Sequence, residues 1–73
     1  MKQSLGSYMA LDSLTPGEKK VVEHLLTGDN NKEIARKLQI TERTVKAHLT
    51  TIYRKTGVKD RLHLALLVNN TGT

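Results

Sequence analysis

Residues 30–57, NNKEIARKLQITERTVKAHLTTIYRKTG, decide how this chain folds. They read as a short helix, a tight turn and a longer helix. On the longer one, Arg43, Lys46, Ala47, Thr50 and Arg54 recur at offsets of 3, 4, 7 and 11, which is one side of an α-helix. Val45, Leu49, Ile52 and Thr56 recur at offsets of 4, 7 and 11 on the opposite side. One side is suited to burial against a core. The other presents cations, a methyl group and a hydroxyl.

The flanking residues supply start and stop signals. Thr41 suits the N-cap of the longer helix, about 42–56, with Ile40 and Val45 spaced as a hydrophobic staple and Gly57 at its end. Asn30 or Asn31 suits the cap of the shorter helix, about 31–38, whose Ile34, Ala35 and Leu38 face inward. Only Gln39 and Ile40 separate Leu38 from the Thr41 cap, so the pair forms a helix-turn-helix. Upstream, Thr15-Pro16-Gly17-Glu18 starts a further helix, about 16–27: Thr15 caps, Pro16 takes the first position and Glu18 completes a capping box. Val21, Val22, Leu25 and Leu26 form its apolar stripe, and Gly28 stops it.

A last helix begins near the Asp60 cap and runs to about Asn69. Leu62, Ala65 and Leu66 lie on one side, and Leu64, Leu67 and Val68 on the roughly opposite one. A surface helix of a small domain is normally apolar on one side. Two apolar sides predict that one meets the core and the other a second copy of the chain. Leu64, Leu67 and Val68 are the expected outer, dimerising side, with His63 at its rim. The expectation is therefore an all-α fold, a four-helix bundle containing a helix-turn-helix. Residues 1–13 would form a flexible N-terminal arm or linker, with Tyr8, Met9 and Leu11 able to dock loosely, and residues 14–70 the domain.

Size and composition narrow the function. Seventy-three residues make one small domain, which buries only about 60% of its unfolded surface. The chain has no cysteine, which removes disulfides, cysteine-based zinc sites and thiol catalysis. His24, His48 and His63 lack acidic companions at ligand spacing, so neither a metal nor a cofactor is expected. Glu18 has no second carboxylate for acid–base work, and no nucleophile stands beside a base, so an enzyme is not expected. The longest apolar run is residues 64–68, far short of the roughly 20 residues of a membrane span. The first residues lack the apolar core of a secretory signal. A cytoplasmic protein, or an excised piece of one, is the expectation.

Charge is concentrated in the helix pair. Residues 1–31 carry three basic and four acidic side chains, residues 32–61 carry nine and three, and residues 62–73 carry none. The central segment is thus +6 in a chain of net +5, the electrostatic footprint of a nucleic-acid binder. On the exposed side of the longer helix, Lys46 can reach a base edge. Ala47 allows close approach and offers a methyl to thymine, and Thr50 can donate or accept a hydrogen bond. Arg43, Arg54 and Lys55 fall in or beside the same helix as cations for DNA. Thr41 and Thr44 can bond phosphates as well as cap, and His48, between the two sides, suits a phosphate contact or a packed edge. Lys32, near the start of the shorter helix, can add a phosphate contact. Arg36 and Lys37 read as surface charges.

The combined pattern resembles a known family. Leu14-Thr15-Pro16-Gly17-Glu18, Gly28, Asn31-Lys32-Glu33-Ile34-Ala35, Ile40 through His48, Lys55, Gly57-Val58 and Arg61 are similar to the LuxR-type helix-turn-helix domain, also called GerE-like, the output domain of NarL-type response regulators. The resemblance covers about residues 14–69. It implies a four-helix fold with the third helix as the reader, base-reading positions at Lys46, Ala47 and Thr50, and backbone contacts from Thr44, His48 and Arg54. It also implies a dimerising fourth helix. Members usually carry a receiver or a small-molecule-binding domain as well, for which this chain has no room. Thr50 stands where some relatives have a longer reading side chain, so sequence preference does not carry over.

The first functional reading is a transcription regulator's domain that binds double-stranded DNA as a dimer on half-sites about one turn apart or in tandem. The alternative is a protein-interaction module whose basic helix docks on an acidic partner such as an RNA polymerase subunit. Single-stranded RNA binding is disfavoured, because Tyr8 and Tyr53 are the only aromatics for stacking on bases.

Overall fold

A computed structural model describes residues 12–71. The arm expected over 1–13, with its docking residues Tyr8, Met9 and Leu11, lies outside the described residues except for Asp12 and Ser13. Four helices follow in order: α1 (Pro16–Leu26), α2 (Asn31–Leu38), α3 (Glu42–Thr56) and α4 (Arg61–Thr71). No strand occurs among the described residues.

Each helix begins on a side-chain cap. Thr15 Oγ1 accepts from the Glu18 amide while Glu18 Oε1 accepts from the Thr15 amide, closing the capping box on α1. Asn30 and Glu33 make the same reciprocal pair at α2, so Asn30 is its cap. Thr41 Oγ1 accepts from the Thr44 amide at the head of α3, and Asp60 Oδ1 from the His63 amide at the head of α4. Gly57 terminates α3 at φ 77°, a left-handed conformation that glycine adopts without steric cost. Gln39 enters the same region, at φ 59°, without being a glycine. The bonds from the Gln39 amide to the Arg36 carbonyl and from the Ile40 amide to the Ala35 carbonyl hold it there and make the α2–α3 turn tight.

The core is one cluster. Leu14 and the α1 residues Val21, Val22 and Leu25 meet Ile34 and Ala35 of α2, Val45, Leu49 and Ile52 of α3, and Leu64 of α4. Ile34, Ile52, Leu64, Val21 and Val45 are wholly inaccessible; burial of each stabilises the fold by about 1.5–3 kcal/mol. Ile40 packs against this cluster from the turn, so α3 is seated by its apolar side and by its entry.

The structure turns α4 the other way from the expectation at every apolar position but Ala65, which packs on the core as expected. Leu64, expected on the outer side, is fully buried, Val68 packs on the core and Leu67 is half-buried. Leu62 and Leu66 are the outward residues, at 66% and 49% exposure. The cause is a clamp at the start of the helix. Arg61 Nη1 donates to Asn31 Oδ1 at 2.8 Å and Nη2 to the Asp29 carbonyl at 2.6 Å, pinning that side to the α1–α2 turn. Leu64, Ala65 and Val68 stand three, four and seven residues beyond Arg61, on the same side of the helix. With apolar residues on both sides, periodicity has no contrast from which to assign the phase.

Candidate nucleic-acid interface

Helix α3 presents its two sides as its spacing predicts. Arg43, Lys46, Ala47, Thr50 and Arg54 are all exposed, while Val45, Leu49 and Ile52 are buried. The exposed row is aligned along one helix, so its cations stand on a common front with small side chains between them. Arg43, Lys46 and Arg54 form no ion pair among the described residues, and their charge is available to an external anion. Thr50 Oγ1 donates to the Lys46 carbonyl at 3.0 Å, which leaves the hydroxyl's lone pairs outward as acceptors.

The rim residues divide by role. Thr44 and His48 are half-buried at the edge of the exposed row. Thr41 is exposed; besides its cap, its hydroxyl shares a 2.9 Å hydrogen bond with that of Thr44. Both hydroxyls thus stand at the N-terminus of α3, where an anion is favoured. Lys32 is exposed in the first turn of α2 and has no acid partner among the described residues.

Lys55 departs from the sequence-based expectation that it meets DNA. Its ammonium donates to Glu18 Oε1 at 2.9 Å and to the Ser13 carbonyl at 3.1 Å. Glu18 is 5% exposed and so is a buried acid with a cationic partner rather than a capping residue alone. Burial by itself pushes the Glu18 carboxyl up; the Thr15 amide and the Lys55 ammonium outweigh it and hold the group below the usual value. Lys55 is thus directed toward α1.

Sequence reasoning also missed the hub at Asp29. Its carboxylate accepts from Lys37 Nζ at 2.9 Å and pairs with His24 Nδ1 at 3.2 Å, while its carbonyl receives Arg61. The Lys37 bond is the main reason the Asp29 carboxyl lies below its usual value, with His24 adding to it against partial desolvation. Lys37, read as a surface charge, joins α2 to the α1–α2 turn. A signal was present for Arg61: it is the last cation in the chain and heads an otherwise uncharged helix.

Among the described residues no cluster of three or more His, Asp or Glu side chains could hold a metal, and no helix is long and apolar enough to cross a membrane. The arrangement supplies binding groups: point charges, hydroxyls and a close-approach surface on a rigid helix.

Comparison with known proteins agrees with this geometry. The family model described as bacterial regulatory proteins, luxR family, matches residues 12–68. The transcriptional regulatory protein LnrK of Bacillus subtilis is 51% identical over 53 residues, covering 73% of this chain and 24% of the relative. The nitrate/nitrite response regulator protein homolog of Haemophilus influenzae is 44% identical over 57 residues, 78% of this chain and 27% of the relative. The CsgBAC operon transcriptional regulatory protein of Escherichia coli is 42% identical over 57 residues, 78% and 26% respectively. The chain therefore spans about a quarter of the length of these relatives. No solved structure matches it significantly. The family is one of DNA-binding regulators rather than enzymes, and the four capped helices with a basic third helix fit it throughout: the chain belongs to the luxR family of bacterial regulatory proteins and carries their DNA-binding helix-turn-helix domain.

Proposed function

We propose that α3 enters the major groove of double-stranded DNA and reads it with Lys46, Ala47 and Thr50. The observation that carries this reading is the exposed row Arg43, Lys46, Ala47, Thr50 and Arg54 on a helix whose other side is locked into the core. Arg43, Arg54 and Lys32 neutralise phosphates, and Thr41, Thr44 and His48 bond them from the rim. Phosphates supply most of the affinity, and base edges the selectivity. A helix that served only to attract an acidic protein surface would have no need of Ala47 and Thr50 in the centre of its cationic row. Within a longer cytoplasmic regulator the domain acts as the output element.

Two copies bind paired half-sites about one helical turn apart or in tandem, and meet through the exposed Leu62 and Leu66 side of α4. The area available on one short helix is small, so association is weak in solution and is strengthened on DNA. Selection of bound duplexes from a random library at fixed salt tests the proposal. A recurrent half-site of a few base pairs is the expected outcome; recovery of unenriched sequence would defeat it.

A further inference from the structure

Beside the reading helix lies a cleft of about 350 Å³ whose α1 wall none of the contacts above uses. Gly17 and Lys20 of α1 form one wall, Gln39 and Ile40 of the α2–α3 turn another, and His48 of α3 the edge nearest the reading row. Lys37 also lines it, but its ammonium is held by Asp29. Lys20 is exposed and has no acid or hydrogen-bond partner among the described residues. It is therefore the cleft's uncommitted cation.

Gly17 lines the cleft without a side chain. Its φ is not in the left-handed region, unlike that of Gly28 and Gly57, so the backbone does not require glycine there, and glycine weakens a helix relative to alanine. A Cβ at this position would lie 3.6 Å from Cε1 and Nε2 of His48. That is ordinary van der Waals contact, so a side chain at this position would touch the imidazole. Without one, His48 and Lys20 line the same opening at the rim of the interface.

We propose that this cleft seats a phosphate of the DNA backbone, so that Lys20 of α1, together with His48, is a further DNA contact outside the helix-turn-helix. The proposal rests on α3 occupying the major groove. A phosphate strand at the rim of α3 then passes His48, and the cleft offers it one full positive charge and one ring nitrogen. The chemistry recognised is a phosphate oxyanion, which a free phosphate ion also carries.

The test compares single charge removals on the 73-residue chain. Lys19→Gln is the control, because Lys19 lies beside Leu14, Val22 and Leu26 in a different groove. Binding to the selected duplex is measured against salt concentration for the parent, Lys20→Gln and Lys19→Gln. Loss of one phosphate contact lowers the slope of log K against log salt by about 0.9. Lys20→Gln is expected to show that drop and Lys19→Gln the parental slope. Gly17→Glu should also weaken binding while preserving the fold, since a carboxylate in the first turn suits a helix but faces the phosphate. Equal slopes for the two lysine variants would overturn the proposal, whereas failure of the parent to bind any duplex would instead sink the reading it rests on. Titration of the ¹⁵N-labelled chain with inorganic phosphate separates the two sources. Little change at Gly17 and Lys20 is expected at millimolar concentration; saturation there with an unchanged Lys20→Gln slope would assign the cleft to the free ion and overturn the DNA assignment.

Discussion

Lys55 Nζ stands 2.9 Å from Glu18 Oε1, which fastens the last turn of α3 to the first turn of α1. The acid is nearly buried and the base is partly exposed, at 7% and 27% side-chain exposure. Removing the partner of a buried charge costs about 3–5 kcal/mol when both are buried. With Lys55 reaching solvent, the loss is discounted below that range, and Lys55→Met should destabilise the domain by about 2 kcal/mol. Urea unfolding followed by circular dichroism measures this. An unchanged midpoint would show that the pair contributes nothing net.

The same carboxylate predicts acid sensitivity. A carboxyl whose folded pKa lies below its unfolded value stabilises the fold above the unfolded value, and that contribution is lost as pH falls through the folded value. Glu18 moves downward, as do Asp29 beside Lys37 and Asp60 under the His63 amide. Stability contributed by these groups should thus be retained near neutral pH and decline once pH drops below their ordinary values of 4.5 for Glu18 and 3.8 for the two aspartates. Glu18→Gln should decline less steeply than the parent between pH 5 and about pH 3. Parallel curves would remove Glu18 from the account.

Lys46→Ala should leave the fold intact and erase sequence preference. Lys46 is exposed, so its loss opens no cavity. A good base contact discriminates by about 1–3 kcal/mol, roughly 5- to 150-fold between half-sites. Competition between the selected half-site and a scrambled one reads the effect directly, and an undiminished ratio would show that another residue does the reading.

Arg54→Ala should weaken all duplexes alike. Arg54 is exposed near the C-terminal end of α3 and has no acid partner among the described residues. If it neutralises one phosphate, the salt slope falls by about 0.9 while half-site preference is kept. A parental slope would leave Arg54 merely solvated.

Helix α4 separates folding from pairing. Leu64 is fully buried, so Leu64→Ala should cost about 2–4 kcal/mol of stability. Leu66, 49% exposed, should tolerate Leu66→Lys with a parental unfolding midpoint. If α4 joins two copies on DNA, Leu66→Lys lowers cooperativity on a paired site and spares a single half-site. Titration of one-site and two-site duplexes distinguishes these, and retained cooperativity would move the contact between copies off this side.

Four helices, their caps and the two sides of α3 are written in residues close together in the chain. A cap joins positions three apart, as Thr15 and Glu18 do, and a helix side repeats within four. Such signals are complete in the sequence by itself, which is why Thr15, Thr41 and the row from Arg43 to Arg54 could be placed from it and the α2 cap narrowed to Asn30 or Asn31, of which the structure selects Asn30. The destination of Lys55, the phase of α4 and the cleft beside His48 had no local signature. Lys55 meets Glu18 across 37 residues, and Arg61 meets Asn31 across 30. An exposed lysine on a basic helix looks the same in sequence whether it faces DNA or a buried acid, and a helix apolar all round can be turned either way. Only the packing of α1 on α3, and the Arg61 clamp on the α1–α2 turn, decided these, because a long-range contact depends on where the chain returns in space.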